Sequence, residues 1–126
     1  MNVKIVLIIL GLFLIFKDQF SYAQEKTIIS YEIYGKKVLM KKTQDGNTLN
    51  KSCADSQKCM AYKAISKKIS KKDIPSKFLN GGKNPGSIVC TEMFNGTVVI
   101  AVRDRAEQSF CLFKDKSLVS TNSLWK

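Results

Sequence analysis

The run "NPGSIVCTEMFNGTVVIAVRDRAEQSFCLFK", Asn84 to Lys114, decides how this chain folds. Asn84 can cap a helix through its side-chain oxygen. Pro85 suits the first helical position, where an N–H would have no partner. Gly86, Val89, Cys90 and Met93 then share a face, and Gly86 lets that face approach its neighbour closely. Asn95-Gly96 supplies a left-handed stop. Beyond it "TVVIAVR" reads as a strand, "DRAEQ" as a turn and "SFCLFK" as a second strand. Val98, Ile100 and Val102 form one face of the first strand. Phe110, Leu112 and Lys114 alternate along the second, with Cys111 and Phe113 opposite. For Cys111 to reach Cys90, the helix must pack on the side that Cys111 and Phe113 share.

Upstream, "TIISYEIYGKKVLMKKT", Thr27 to Thr43, reads as two short strands around Tyr34-Gly35-Lys36. "QDGNTLN", Gln44 to Asn50, reads as a polar loop, and the chain shows no internal repeat. In "SCADSQKCMAYKAISKKIS", Ala61, Ala64, Ile65 and Ile69 fall on one helical face. Ser52 with Asp55 resembles a capping box, which would place Cys53 inside this helix. Residues six apart on one helix rise about 9 Å, whereas a disulfide needs Cα atoms roughly 4.4–6.8 Å apart. Taking Asp55 as the cap instead leaves Cys53 in the preceding turn, able to fold back on Cys59. "KKDIPSKFLNGGKNPG" is a connector, because the residue before Pro75 is pushed out of the helical region. "LVSTNSLWK" adds a last short strand, with Leu124 or Trp125 covering an edge. The pattern predicts an α+β fold, a small disulfide-stapled domain whose short antiparallel sheet packs against one or two helices.

Lys4 is followed by "IVLIILGLFLIF", twelve residues without a polar side chain, and later by Ser21-Tyr22-Ala23 with small residues at −3 and −1. That is the layout of a secretory signal peptide over residues 1–23. Spanning a bilayer takes about 20 apolar residues, and no cysteine stands near the cleavage point for a lipid anchor. The expectation is an exported protein, periplasmic or secreted and not a lipoprotein, beginning at Gln24. Its 103 residues suit one compact domain. Residues 24–80 would supply strands and a lysine-rich helix, and residues 81–126 a helix and hairpin. Nineteen basic residues then face nine acidic ones. Four cysteines, Cys53, Cys59, Cys90 and Cys111, form an even set in a short exported chain, which reads as two disulfides. Histidine and C-x-x-C are absent, so no metal or other cofactor is expected.

Asn84-Pro85-x-Ser87-x-x-Cys90, a strand pair, and "CLFKDKSLVSTNSLW" from Cys111 to Trp125 together resemble the small bacterial domain of unknown function 333. Its members are often labelled hemolysins. The resemblance covers residues 81–126. Gly86 stands where the family usually has alanine, and Lys116 where it has a turn glycine. The resemblance implies that Cys90 pairs with Cys111, which leaves Cys53 for Cys59. In the chain-entropy picture the longer loop contributes roughly 3 kcal/mol and the shorter roughly 2 kcal/mol. The family brings no catalytic motif to these residues.

Catalysis is disfavoured on the residues themselves. The usual general base is missing with histidine, and paired cysteines offer no thiolate. Glu92 and Glu107 could form an acid pair, but exposed carboxylates are ordinarily only solvated. The sharper feature is basic: Lys58, Lys63, Lys67, Lys68, Lys71, Lys72 and Lys77 crowd one segment, with Lys63, Lys67 and Lys71 a turn apart in one row. They form a candidate anion-binding surface for envelope lipids, lipopolysaccharide or acidic glycans. A solvated helix face explains the same lysines, and arginine, the better phosphate fork, is scarce. Nucleic acid is not expected, since no aromatics interleave with the lysines. The preferred reading is a non-enzymatic envelope or secreted binding module. An inhibitor that inserts the loop from Asn80 to Pro85, or a membrane-active effector, stand as alternatives. "GGK", Gly81 to Lys83, serves as punctuation before the helix. Anion attraction at that helix start is a secondary use.

Overall fold

The computed structural model describes residues 27–126, so the expected leader lies outside the described residues. Six antiparallel strands close into a barrel in the order β1-β2-β3-β6-β5-β4. These are β1 (Ile28–Ile33), β2 (Lys36–Lys42), β3 (Thr48–Asn50), β4 (Thr97–Arg103), β5 (Ala106–Leu112) and β6 (Leu118–Ser120). Between β3 and β4 lie α1 (Lys51–Ser56), α2 (Met60–Ser66), a 3₁₀ turn (Lys71–Asp73), α3 (Ser76–Leu79) and α4 (Pro85–Ile88). α4 runs on into a π-helical turn, Val89–Met93.

The expected short sheet packed on helices is therefore wrong in architecture: the sheet has closed on itself. The two strands that close it are the reason. β3 and β6 have three residues each, too few to show a period. Thr48–Asn50 sits inside the run read as a polar loop. Their pairing at Leu49↔Val119, and that of β1 with β4 at Glu32↔Val102, join residues 70 apart in sequence. Closure removes the bare strand edges that an open sheet would leave.

The barrel carries an internal two-fold repeat that the sequence does not display. β1 meets β2 at Ile33↔Lys36, and β4 meets β5 at Arg103↔Ala106, every position shifted by 70. The same shift carries Met40↔Asn50 onto Phe110↔Ser120. Both hairpins turn through two residues of positive φ, Tyr34-Gly35 and Asp104-Arg105, the twist that suits a two-residue hairpin. Both following loops use the same bonds: Thr43 N–H to Asn47 C=O, and Phe113 N–H to Ser117 C=O. Across residues 28–51 and 98–121 only Asp45 and Asp115 are identical. Backbone pairing, indifferent to side-chain identity, preserves the repeat.

Two cores result. Inside the barrel, Tyr31, Ile33, Met40, Val99, Ala101, Phe110 and Leu118 pack together, with the Tyr31 and Phe110 rings edge-on at 5.1 Å. Outside it, the helices cover one flank through Ala61, Ala64, Ile69, Val89, Cys90, Cys111, Phe113 and Val119. Cys111 and Phe113 thus face the helices, as their alternation requires. Val98, Ile100 and Val102 prove to be the outward face of β4, and Ile100 and Val102 are exposed.

Both disulfides are present, Cys53–Cys59 and Cys90–Cys111, with Cα separations of 5.5 and 5.6 Å. The route to the first differs from expectation. α1 begins at Lys51, before Cys53, and Asp55 lies within it rather than capping it. The helix instead stops at Ser56, and Gln57 turns left-handed at φ 57°. That reversal brings Cys59, the N-cap of α2, back to Cys53. Disulfides are compatible with an oxidising, exported setting, and among the described residues no helix is long and apolar enough to cross a membrane.

Candidate functional site

Three features carry the candidate chemistry: the α4 joint, the lysine-rich helical layer and the open mouth of the barrel. At the joint, Asn84 Oδ1 accepts from the N–H of Gly86 at 2.8 Å and of Ser87 at 3.3 Å. Pro85 holds the first helical position. A Cβ on Gly86 would lie 1.9 Å from the Thr121 carbonyl oxygen. Alanine therefore does not fit at this position. Gly96 has a related role, because its Cβ would fall 2.5 Å from Cys111 Sγ and 3.0 Å from Cys90 Sγ. The left-handed residue of the stop is Asn95, at φ 53°, while Gly96 makes room for the disulfide. Gly86, Val89 and Cys90 are buried, but Met93 has swung to the exposed side. The π turn, with one extra residue per hydrogen-bonded ring, rotates it off the predicted face.

The seven lysines are all exposed, on the helical layer. Lys58 lies between α1 and α2, Lys63 in the last turn of α2, and Lys67 at its C-cap. Lys68 is left-handed at φ 49°. The helix ends there, so Lys71 does not continue the row but opens the 3₁₀ turn with Lys72, and Lys77 sits on α3. Among the described residues the ion pairs engage Lys41 and Lys51 with Asp55, and Arg103 with Asp104. None involves the seven. Asp73, the acid among them, is bound to its own turn through the Ser70 N–H and hydroxyl. Those bonds hold its carboxyl below the usual range. Lys67 and Lys77 rest over the rings of Phe94 and Phe78, at 5.3 and 4.8 Å from the centroids.

Asp115 does what its residue type alone did not announce. It accepts from Met60 N–H at 2.8 Å, and Ser117 Oγ accepts from Ala61 N–H at 3.0 Å. The β5–β6 loop therefore caps α2 from outside and docks the lysine layer on the barrel. Partial burial works against the charge, but the donors of Met60 and Ser117 prevail and keep this carboxyl below its ordinary value.

Glu92 lies on the π turn, lining a cleft of about 410 Å³ with Lys77 and Lys83. Glu107 is on β5 opposite Val102, outside that cleft. All four cysteines are bonded.

A second cleft, of about 370 Å³, opens at the barrel end formed by Tyr31, Lys42, Asp45, Asn47, Gln108 and Ser120. Tyr31 Oη donates to Gln108 Oε1 at 2.9 Å, and Gln108 Nε2 donates to Ser120 Oγ at 2.8 Å. None of these was a candidate from sequence. The available signal was Gln108, a polar residue two positions before Phe110 on the inward face of its strand. Comparison with known proteins finds no matching family model, no matching curated protein and no matching solved structure.

Proposed function

We propose that the protein is an exported bacterial binding module, without enzymatic activity, whose lysine-bearing helical layer engages anionic envelope material. The observation that carries this is the set of seven exposed lysines with no ion-pair partner among the described residues. Acids elsewhere are spent locally: Asp55 on Lys41 and Lys51, Asp73 on Ser70, and Asp115 on α2. An unneutralised basic layer raises the local concentration of anions and binds them in a salt-dependent way. The proposal includes export through the leader at 1–23, to the periplasm or beyond. It also includes kinship of residues 81–126 with the hemolysin-labelled family, supported by Asn84 capping α4 and by the Cys90–Cys111 bond that ties the following turn to β5.

Titration against vesicles containing anionic lipid, and against lipopolysaccharide, tests the reading. Binding should be strong at low salt and fall away as salt approaches the physiological range. Replacing Lys63, Lys67 and Lys71 together by glutamine should weaken it about tenfold or more, about 1.4 kcal/mol. Equal binding by the triple variant would reduce these lysines to solvated surface. Dye release from the vesicles would point instead to a membrane-active effector, and no binding to either material to an inhibitor.

A further inference from the structure

The two-fold repeat gives the barrel an internal reference, because each end has an equivalent related by the shift of 70. At one end, Val38, Ala101, Leu112 and Leu118 close the barrel with apolar side chains. Their equivalents at the other end are Gln108, Tyr31, Lys42 and Thr48, and these line the open cleft of about 370 Å³. Apolar closure is thus available to this backbone, and at one end it has been replaced by polar groups. The loops differ in the same sense. Asp115 and Ser117 accept the N–H groups of Met60 and Ala61. Their equivalents, Asp45 and Asn47, stand at the open mouth, and neither side chain makes a hydrogen bond or ion pair with the described residues. Asn47 is largely covered as a residue, but its amide is reached by solvent from the cleft it lines. A hydrated amide fixed in a cleft wall can exchange its water for a ligand hydroxyl.

We propose that this mouth binds a carboxylated sugar. The volume fits one sugar unit, within the roughly 300–1,000 Å³ common for small-molecule sites, and barrel mouths are a usual place for them. Asn47, Gln108, Ser120 and Asn122 offer donors and acceptors together, which hydroxyl groups match because they do both. Asp45 accepts only, and can receive a hydrogen bond from a hydroxyl. Lys42 and Lys126, with Lys68 beside the adjoining cleft, outnumber the acid side chain Asp45 even when a terminal carboxylate on Lys126 is counted, and leave positive charge over for a carboxylate. A neighbouring cleft of about 380 Å³ shares Asp45, Asn47 and Lys126 and leads past Tyr62 and Lys68. A second sugar of a chain would lie there.

Glucuronate, galacturonate and N-acetylneuraminate, with glucose as the neutral control, probe the site by NMR on the whole protein. At least one acid should shift the side-chain amide signals of Asn47, Gln108 and Asn122 saturably, and glucose should bind at least about tenfold more weakly. Lys42→Gln and Gln108→Val, the second copying Val38 at the closed end, should each weaken binding about tenfold or more. Substituting Lys63, Lys67 and Lys71 should leave it unchanged. The wild-type shift map decides the matter even where a variant fails to melt cooperatively. Absence of saturable shifts with all three acids, glucose binding as tightly, or shifts confined to the lysine layer would overturn the assignment.

Discussion

Gly86 is the residue whose replacement the packing forbids most plainly. Its missing Cβ would meet a backbone oxygen, which cannot rotate away. Gly86→Ala should cost about 2–3 kcal/mol, the upper range for overpacking, read as a lower urea midpoint with an unchanged slope. Lys116 presents the opposite case. It holds φ 67° where its equivalent in the repeat is Gly46, and left-handed backbone costs an ordinary residue about 1–2 kcal/mol. Lys116→Gly should raise stability by about 1 kcal/mol in the same assay. Asp55 governs part of the acid response. Hydrogen bonds from Lys41 and then Lys51 lower its carboxyl to about 2. A group whose folded pKa lies below its unfolded one stabilises above the unfolded value and ceases to as pH falls. The contribution of Asp55 should therefore disappear between about pH 4 and about pH 2. Thermal melts of wild type and Asp55→Asn should differ at neutral pH and converge at the acid end. The glycine and proline punctuation was legible at this scale, because its effects are local. The cap by Asp115 and Ser117 was not, since their partner amides lie 55 and 56 residues away.

The disulfide and the external cap hold the helical elements where their own lengths would not. α2 has seven residues, short of the roughly 12–15 at which an isolated helix becomes even marginal in water. Replacing Asp115 by alanine removes the acceptor of the Met60 amide, the first of α2, and should cost about 1–2 kcal/mol, the size of an N-cap. The loss should appear as faster hydrogen exchange confined to α2. Cys90–Cys111 ties the π turn to β5. Removing both cysteines together should lower stability by about 3 kcal/mol, measured by thermal melting against the intact protein. Helix α1 taught the limit of reading ends from side chains. The Ser52–Asp55 spacing suggested a start, yet Asp55 is occupied by two lysines, and Gln57's left-handed turn decides the geometry.

For the whole molecule, the seams of the barrel are unequal. β1 and β2 pair at six positions, whereas β1 and β4 pair at two and β3 and β6 at one. The β3–β6 seam lies under the helices, with Leu49 and Val119 fully buried. The β1–β4 seam has Glu32 and Val102 exposed. Amides along β1 and β4 at this seam should exchange first, before those of the β4–β5 hairpin. Uniform protection around the barrel would contradict that order.

Much of this protein was set locally by its residues: both hairpins, the cap and proline of α4, and an even set of cysteines, each a matter of neighbours in sequence. The pairing of those cysteines followed from a family resemblance, and the structure contains both bonds. What only the tertiary structure decided was closure. A three-residue strand has no period to read, and the pairing that closes the seam, Leu49↔Val119, joins residues 70 apart. The same holds for the two ends of the barrel. Gln108, Lys42 and Asn47 become a polar mouth only when a symmetry carried by backbone hydrogen bonds, invisible in side chains, sets them opposite an end sealed with Val38, Leu112 and Leu118.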